Sequence, residues 1–104
     1  MQAEVAKGQV ELLLLAVLVA APAHGYGIVE TLRTRSGGAF DLAEGTVYPA
    51  LYRLERAGLV ASGWQSVGGR RRRVYRLTRR GHGALERRRA DWRELTKAME
   101  TVLA

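Results

Sequence analysis

Residues 44–78 read EGTVYPALYRLERAGLVASGWQSVGGRRRRVYRLT, and two periodicities meet inside this stretch. From Glu44 onward the apolar positions keep helical spacing. Val47, Leu51 and Leu54 share one face, while Pro49, Tyr52, Arg53 and Arg56 lie roughly opposite. Thr46 reads as the cap of this helix, Pro49 is tolerable within its first turn, and Gly58 closes it. Past the glycine the pattern becomes strand-like, with runs from Leu59 to Gln65 and from Arg71 to Thr78 around a Gly-containing turn at Ser66 to Arg70. In the second run, Tyr75 and Leu77 share a face with Arg71 and Arg73, whereas Arg72, Val74, Arg76 and Thr78 point to the other. Arginines on both faces beside the turn mark a tip that projects from the body of the protein.

Toward the N-terminus, Val10 to Ala20 reads as a helix that is apolar nearly all round and so buried on more than one side, ended by Pro22. His24-Gly25-Tyr26-Gly27 opens a second helix that turns Ile28, Val29 and Leu32 inward, and Gly37-Gly38 stops it. Toward the C-terminus, Thr78 caps a last helix running to about Leu103. There Leu85, Trp92 and Met99 recur at heptad spacing, Leu95 and Val102 form the second seam, and Arg88 is the polar exception. Such a seam on a helix longer than the domain needs a partner, and a second copy of the chain is the most economical one. The fold class is mainly α with a small β-hairpin, in the order of a winged helix-turn-helix followed by a long C-terminal dimerisation helix. Residues 1–78 form the first unit and 79–104 the second.

The totals fit this reading. The chain has 104 residues and a net charge of +7, enough for one core. All of the net charge lies between Arg70 and Arg80, where seven arginines stand without an acid; the remaining basic and acidic residues balance. A confined positive patch on a neutral body is what a phosphate-binding surface requires. With no cysteine, disulfides, thiolate metal sites and a cysteine nucleophile are excluded, and a reducing cytoplasm is the natural compartment. The run from Leu12 to Ala21 before Pro22-Ala23 has the look of a signal peptide, but Glu4, Lys7 and Glu11 give it an acidic flank and it is too short to cross a bilayer, so it reads as a buried helix. No nucleophile–base–acid set or phosphate loop occurs, and His24 and His82 are not at metal-ligand spacing. The chain therefore reads as no enzyme, with no metal and no cofactor.

Several motifs, in order, resemble PadR-family transcriptional regulators. Lys7-Gly8 and Glu11 to Leu18 resemble the family's opening, and His24-Gly25-Tyr26-Gly27-Ile28 its His-Gly-Tyr signature. Gly45-Thr46-Val47-Tyr48-Pro49-Ala50-Leu51 resembles its recognition helix, and the wing ends in Tyr75-Arg76-Leu77-Thr78 before Gly81. Gly27 stands where the family often has a charged residue, and the wing is richer in arginine. The single helix after the wing is similar to the branch with a short C-terminal part.

The resemblance implies a dimeric, sequence-specific regulator, a repressor, acting on a palindromic double-stranded operator in the cytoplasm and apart from any membrane. Thr46, Tyr48, Pro49 and Arg53 would face base edges and phosphates in the major groove. Arg70, Arg71, Arg72 and Arg73 would reach phosphates or the adjacent minor groove. Tyr26 resembles a residue that touches the DNA backbone. Packing within the domain is the other reading of both Tyr26 and Tyr48. Leu85, Trp92, Leu95, Met99 and Val102 would form the dimer interface. In short-branch relatives a tryptophan on this helix lies at the dimer interface, and in some of them flat aromatic ligands stack there, so the resemblance makes Trp92 a candidate for a small aromatic effector, although plain packing suits its seam position better. The alternative function is a winged-helix adaptor that binds proteins without specific DNA recognition.

Overall fold

The computed structural model describes residues 7–104; the first six residues of the 1–78 unit, Glu4 among them, lie outside the described residues. A 3-10 turn at Lys7–Gln9 leads into α1 (Val10–Ala20), β1 (Ala23–His24), α2 (Gly25–Arg35), α3 (Glu44–Arg56), β2 (Val60–Val67), β3 (Arg70–Leu77) and α4 (Arg79–Leu103). This is a winged helix-turn-helix with a long terminal helix. The hub is α1, which packs against α2, α3, α4 and β3. Its apolar surround supplies Leu14 and Leu15 to a core shared with Ile28, Val47, Leu51, Leu54 and Leu85, all essentially inaccessible. Each such side chain contributes about 1.5–3 kcal/mol by leaving water.

Glycines set the ends of α2 and α3. At Gly58 the backbone turns to φ +77, and the amides of Gly58 and Leu59 donate to the carbonyls of Glu55 and Leu54 at 3.0 and 2.9 Å. This glycine-closed pair of hydrogen bonds satisfies carbonyls the helix would otherwise leave bare. Thr78 makes the joint between wing and α4. Its hydroxyl donates to the Gly58 carbonyl at 2.7 Å and accepts from the Gly81 amide at 3.0 Å, the capping role expected of it. Gly81 is confined as well, because a Cβ there would run into the Leu59 carbonyl and the Leu77 side chain.

The hairpin and its sheet depart from the sequence-based expectation in two ways. The hairpin turn is shorter than Ser66 to Arg70: Val67 pairs with Arg70 and Ser66 with Arg71, leaving only Gly68 and Gly69, at φ +59 and +80, as the loop. A two-residue turn with both φ positive matches the twist of the strands it joins. The sheet also has a third strand, in the order β1-β3-β2, because Ala23 and His24 pair with Tyr75 and Val74. That strand ties the start of α2 to the wing.

Of α4, only Gly81, Ala84 and Leu85 are buried. Arg88, Trp92 and Leu95 still border the α1 region, and past them the exposed end of the helix projects from the domain, giving the molecule a long dimension of 52 Å against 28 and 21 Å. Leu85, read from the heptad as a pairing residue, is 1% exposed inside its own chain's core. It holds α4 to the domain and has no surface left for a partner.

Candidate nucleic-acid interface

Burial of Val47, Ala50, Leu51 and Leu54 fixes the orientation of α3. At about 100° per residue, the line farthest from the core runs through Gly45, Pro49, Tyr52 and Arg56. Thr46 and Arg53 flank it on one side and Tyr48 on the other; all these side chains are exposed. Tyr52 is 60% exposed, with the Arg56 guanidinium 5.8 Å from its ring centroid. Thr46 does not cap the helix. Ala43 occupies the cap position without a side-chain hydrogen bond, and Thr46 sits in the first turn, its amide donating to the Ala43 carbonyl at 2.9 Å. Pro49 lies inside the helix, beyond the first turn, and so cannot donate to the carbonyl of Gly45. Gly45 itself is exposed.

Tyr48 packs within the domain and still keeps an exposed edge. Its ring lies across Gly25 at the start of α2, where an added Cβ would be 2.5 Å from Cζ and Oη, yet the residue remains 42% exposed. It walls a groove of 360 Å³ together with His24, Trp64, Tyr75 and the wing arginines 71–73. The recognition-helix edge and the wing thus open onto one basic, aromatic-lined channel. Burial and the Arg72 charge hold the His24 imidazole below its ordinary value. Tyr26 is half exposed and stacks on His24, with centroids 6.3 Å apart and planes inclined by 19°.

The wing arginines are not equivalent. On one face, Arg71 and Arg73 place their guanidinium carbons 5.6 and 5.7 Å from the Trp64 ring centroid, contacts of about 0.5–1 kcal/mol each at an exposed site. Arg73 is held further: its Nε donates to Ser62 Oγ at 2.8 Å, and its Nη2 lies 3.8 Å from Glu55 Oε2, which also accepts from Ser62 at 2.7 Å. Part of the Arg73 charge is therefore used to brace the wing against α3. Arg70 and Arg72 belong to the opposite face.

On the outer part of α4, Trp92, Leu95, Met99 and Val102 form an apolar stripe, between 45% and 82% exposed. Trp92 borders two clefts at the junction with α1. One, of 260 Å³, includes Leu12, Arg88 and Leu95; the other, of 290 Å³, is walled mainly by Leu12, Leu13, Ala16, Phe40 and Leu85.

Residues 14–87, which include α3, the wing and the start of α4, match the Transcriptional regulator PadR-like family. The chain belongs to that family. This PadR-like regulator is 42% identical over 74 residues to the transcriptional regulator Rv3488 of Mycobacterium tuberculosis, a match covering 71% of the chain and 66% of that protein. A transcriptional regulator from Clostridium thermocellum has the same fold, with TM-score 0.88, 26% identity and coverage of 97% and 96% of the two chains. A PadR-family regulator from Eggerthella lenta aligns with TM-score 0.84 and 33% identity over 96% of this chain and 86% of its own. The family is one of transcriptional regulators rather than enzymes. Among the described residues no helix is long and apolar enough to cross a membrane, and no group of three His, Cys, Asp or Glu side chains could hold a metal.

Tyr52, Arg56, Trp64 and His24 were absent from the sequence-based site. The helical period already placed Tyr52 and Arg56 on the exposed side of α3. Trp64 carried a weaker signal, a lone large aromatic between Gly63 and Gln65 in a strand next to an arginine run. His24 becomes part of the channel only through its pairing with Val74.

Proposed function

We propose that this PadR-like protein is a homodimeric repressor that inserts α3 into the major groove of a palindromic operator and lays its wing along the neighbouring backbone. The observation that carries the reading is the shared channel that Tyr48 of α3 lines together with Trp64 and the wing arginines 71–73. Thr46, Pro49 and Arg53 reach base edges or phosphate, Tyr48 donates to phosphate, and Arg70, Arg71 and Arg72 neutralise phosphates. Tyr26 extends the backbone contact beside His24. Residues 1–78 act as the DNA-binding unit, and α4 pairs two copies through Trp92, Leu95, Met99 and Val102, with the cytoplasm as the site of action. Gel-shift titration of a duplex from upstream of the protein's own gene, with competitor DNA present, tests the reading; no retained complex would overturn it.

Regulation would act through α4. A planar aromatic effector lodged against Trp92 would favour a dimer geometry in which the two α3 helices no longer match successive major grooves. The clefts beside Trp92 are near the small end of ligand-site volumes, and a second chain would enclose them further. Titrating a Trp64→Phe chain with planar aromatic compounds isolates Trp92 fluorescence. Quenching together with DNA release supports effector control, and neither effect across the panel removes it for those compounds.

A further inference from the structure

One carboxylate joins the DNA-facing helix to the long helix. Glu11 of α1 accepts from Arg53 Nε through Oε2 at 3.1 Å and from Arg88 Nη1 through Oε1 at 3.0 Å. Arg53 lies 42 residues and Arg88 77 residues along the chain from Glu11, so the triad exists only because α3 and α4 both pack on α1. Glu11 retains 30% of its side-chain exposure, Arg53 59% and Arg88 40%. The pairs are accessible enough to exchange partners. Burial pushes the Glu11 carboxyl up, but the hydrogen bonds and charges of Arg88 and Arg53 outweigh it and leave the group below its ordinary value. Arg88 has a second neighbourhood, since it also lines the cleft beside Trp92 and Leu95.

We propose that Glu11 is a positioning residue that governs how freely Arg53 reaches DNA, and that Arg88 sets the strength of that hold by sharing the same carboxylate. This rests on the reading that α3 faces DNA. With both guanidinium groups in place, the negative charge of Glu11 is divided between them. If a group in the cleft draws Arg88 away, the whole carboxylate restrains Arg53, and a DNA phosphate must compete with a stronger partner. Arg88 thus relays what happens along α4 to a residue at the edge of the DNA-facing surface. Exposed ion pairs are individually weak, so the coupling is a modulation of affinity of about two- to five-fold.

The test measures affinity for a labelled mixed-sequence DNA duplex at low salt by fluorescence anisotropy, using the full chain. Arg88→Ala is compared in three backgrounds: wild type, Glu11→Gln and Arg53→Ala. In wild type it weakens binding by about two- to five-fold beyond the loss of one positive charge. In both other backgrounds only the charge effect remains, and Arg88→Lys restores most of the wild-type affinity. An Arg88→Ala effect of equal size in all three backgrounds overturns the coupling while leaving the DNA reading intact. A folded wild-type chain that binds no duplex overturns both. Arg53→Gln replaces Arg53→Ala should the latter fail to fold, because it keeps most of the side-chain length but carries no charge to share Glu11.

Discussion

The ring of Tyr48 occupies the space where any residue other than glycine at position 25 would place its Cβ; that atom would lie 2.5 Å from the tyrosine Cζ and Oη. The backbone at the start of α2 and the exposed edge of α3 are therefore fitted to each other, and the fit turns the phenol toward the channel shared with the wing. Gly25→Ala forces Tyr48 to move. Overpacking of this kind costs about 1–3 kcal/mol, and the displaced phenol lowers DNA affinity further. Urea denaturation and DNA titration of Gly25→Ala, alone and with Tyr48→Ala, check this: removing the ring restores stability but not affinity.

The wing arginines divide by partner. Among the described residues Arg70, Arg71 and Arg72 have no acidic partner in a salt bridge, whereas Arg73 is tied to Ser62 and Glu55. Replacing the first three by alanine in both copies of a dimer removes about six phosphate contacts, so the slope of log affinity against log salt becomes shallower by about 5. Arg73→Ala changes the slope by less than about 1 and lowers folding stability by up to about 1 kcal/mol through loss of the brace. Binding isotherms across a salt series distinguish the two.

Leu95 and Met99 are about half exposed on the outer part of α4. Replacing both with glutamate puts like charges on the proposed pairing stripe while sparing the core, which α4 joins through Ala84 and Leu85. The variant is expected to sediment as a folded monomer and to bind operator DNA at least tenfold more weakly, by about 1.4 kcal/mol or more. Sedimentation velocity and circular dichroism read the two properties separately.

Glu11 also makes stability depend on pH. Its carboxyl lies below the ordinary value of 4.5 in the folded chain, so the native state binds fewer protons than the unfolded state between those two values. The contribution is fully present above pH 4.5 and is lost as pH falls through the folded value. Wild type is more stable than Glu11→Gln near neutrality, and the difference shrinks toward zero in acid. Melting temperatures of the two chains from neutral pH down to about pH 3 check the convergence.

The helices were legible because their signals are local. The apolar run of α1, Gly58 after α3 and Thr78 before α4 each act within a turn of the residue concerned. Strand β1 was not legible, since Ala23 and His24 are too few to show an alternation and are strands only through β3. Leu85 and Trp92 obey the same heptad, yet one is core and the other surface, because spacing along a helix carries no mark of where the domain beneath it ends. The basic face of the wing was visible as an arginine run. Which arginine is already engaged depended on Glu55 and Ser62, distant in sequence and brought to Arg73 by the fold.

The most direct test of the central claim is a footprint of the dimer on DNA from upstream of its gene, combining hydroxyl-radical cleavage with methylation of guanine N7 in the major groove. Two symmetric protected patches are expected, centred one helical turn, about 10–10.5 base pairs, or a multiple of it apart, with guanine protection inside each. A folded dimer that leaves the fragment evenly cleaved and its guanines open to methylation would contradict it.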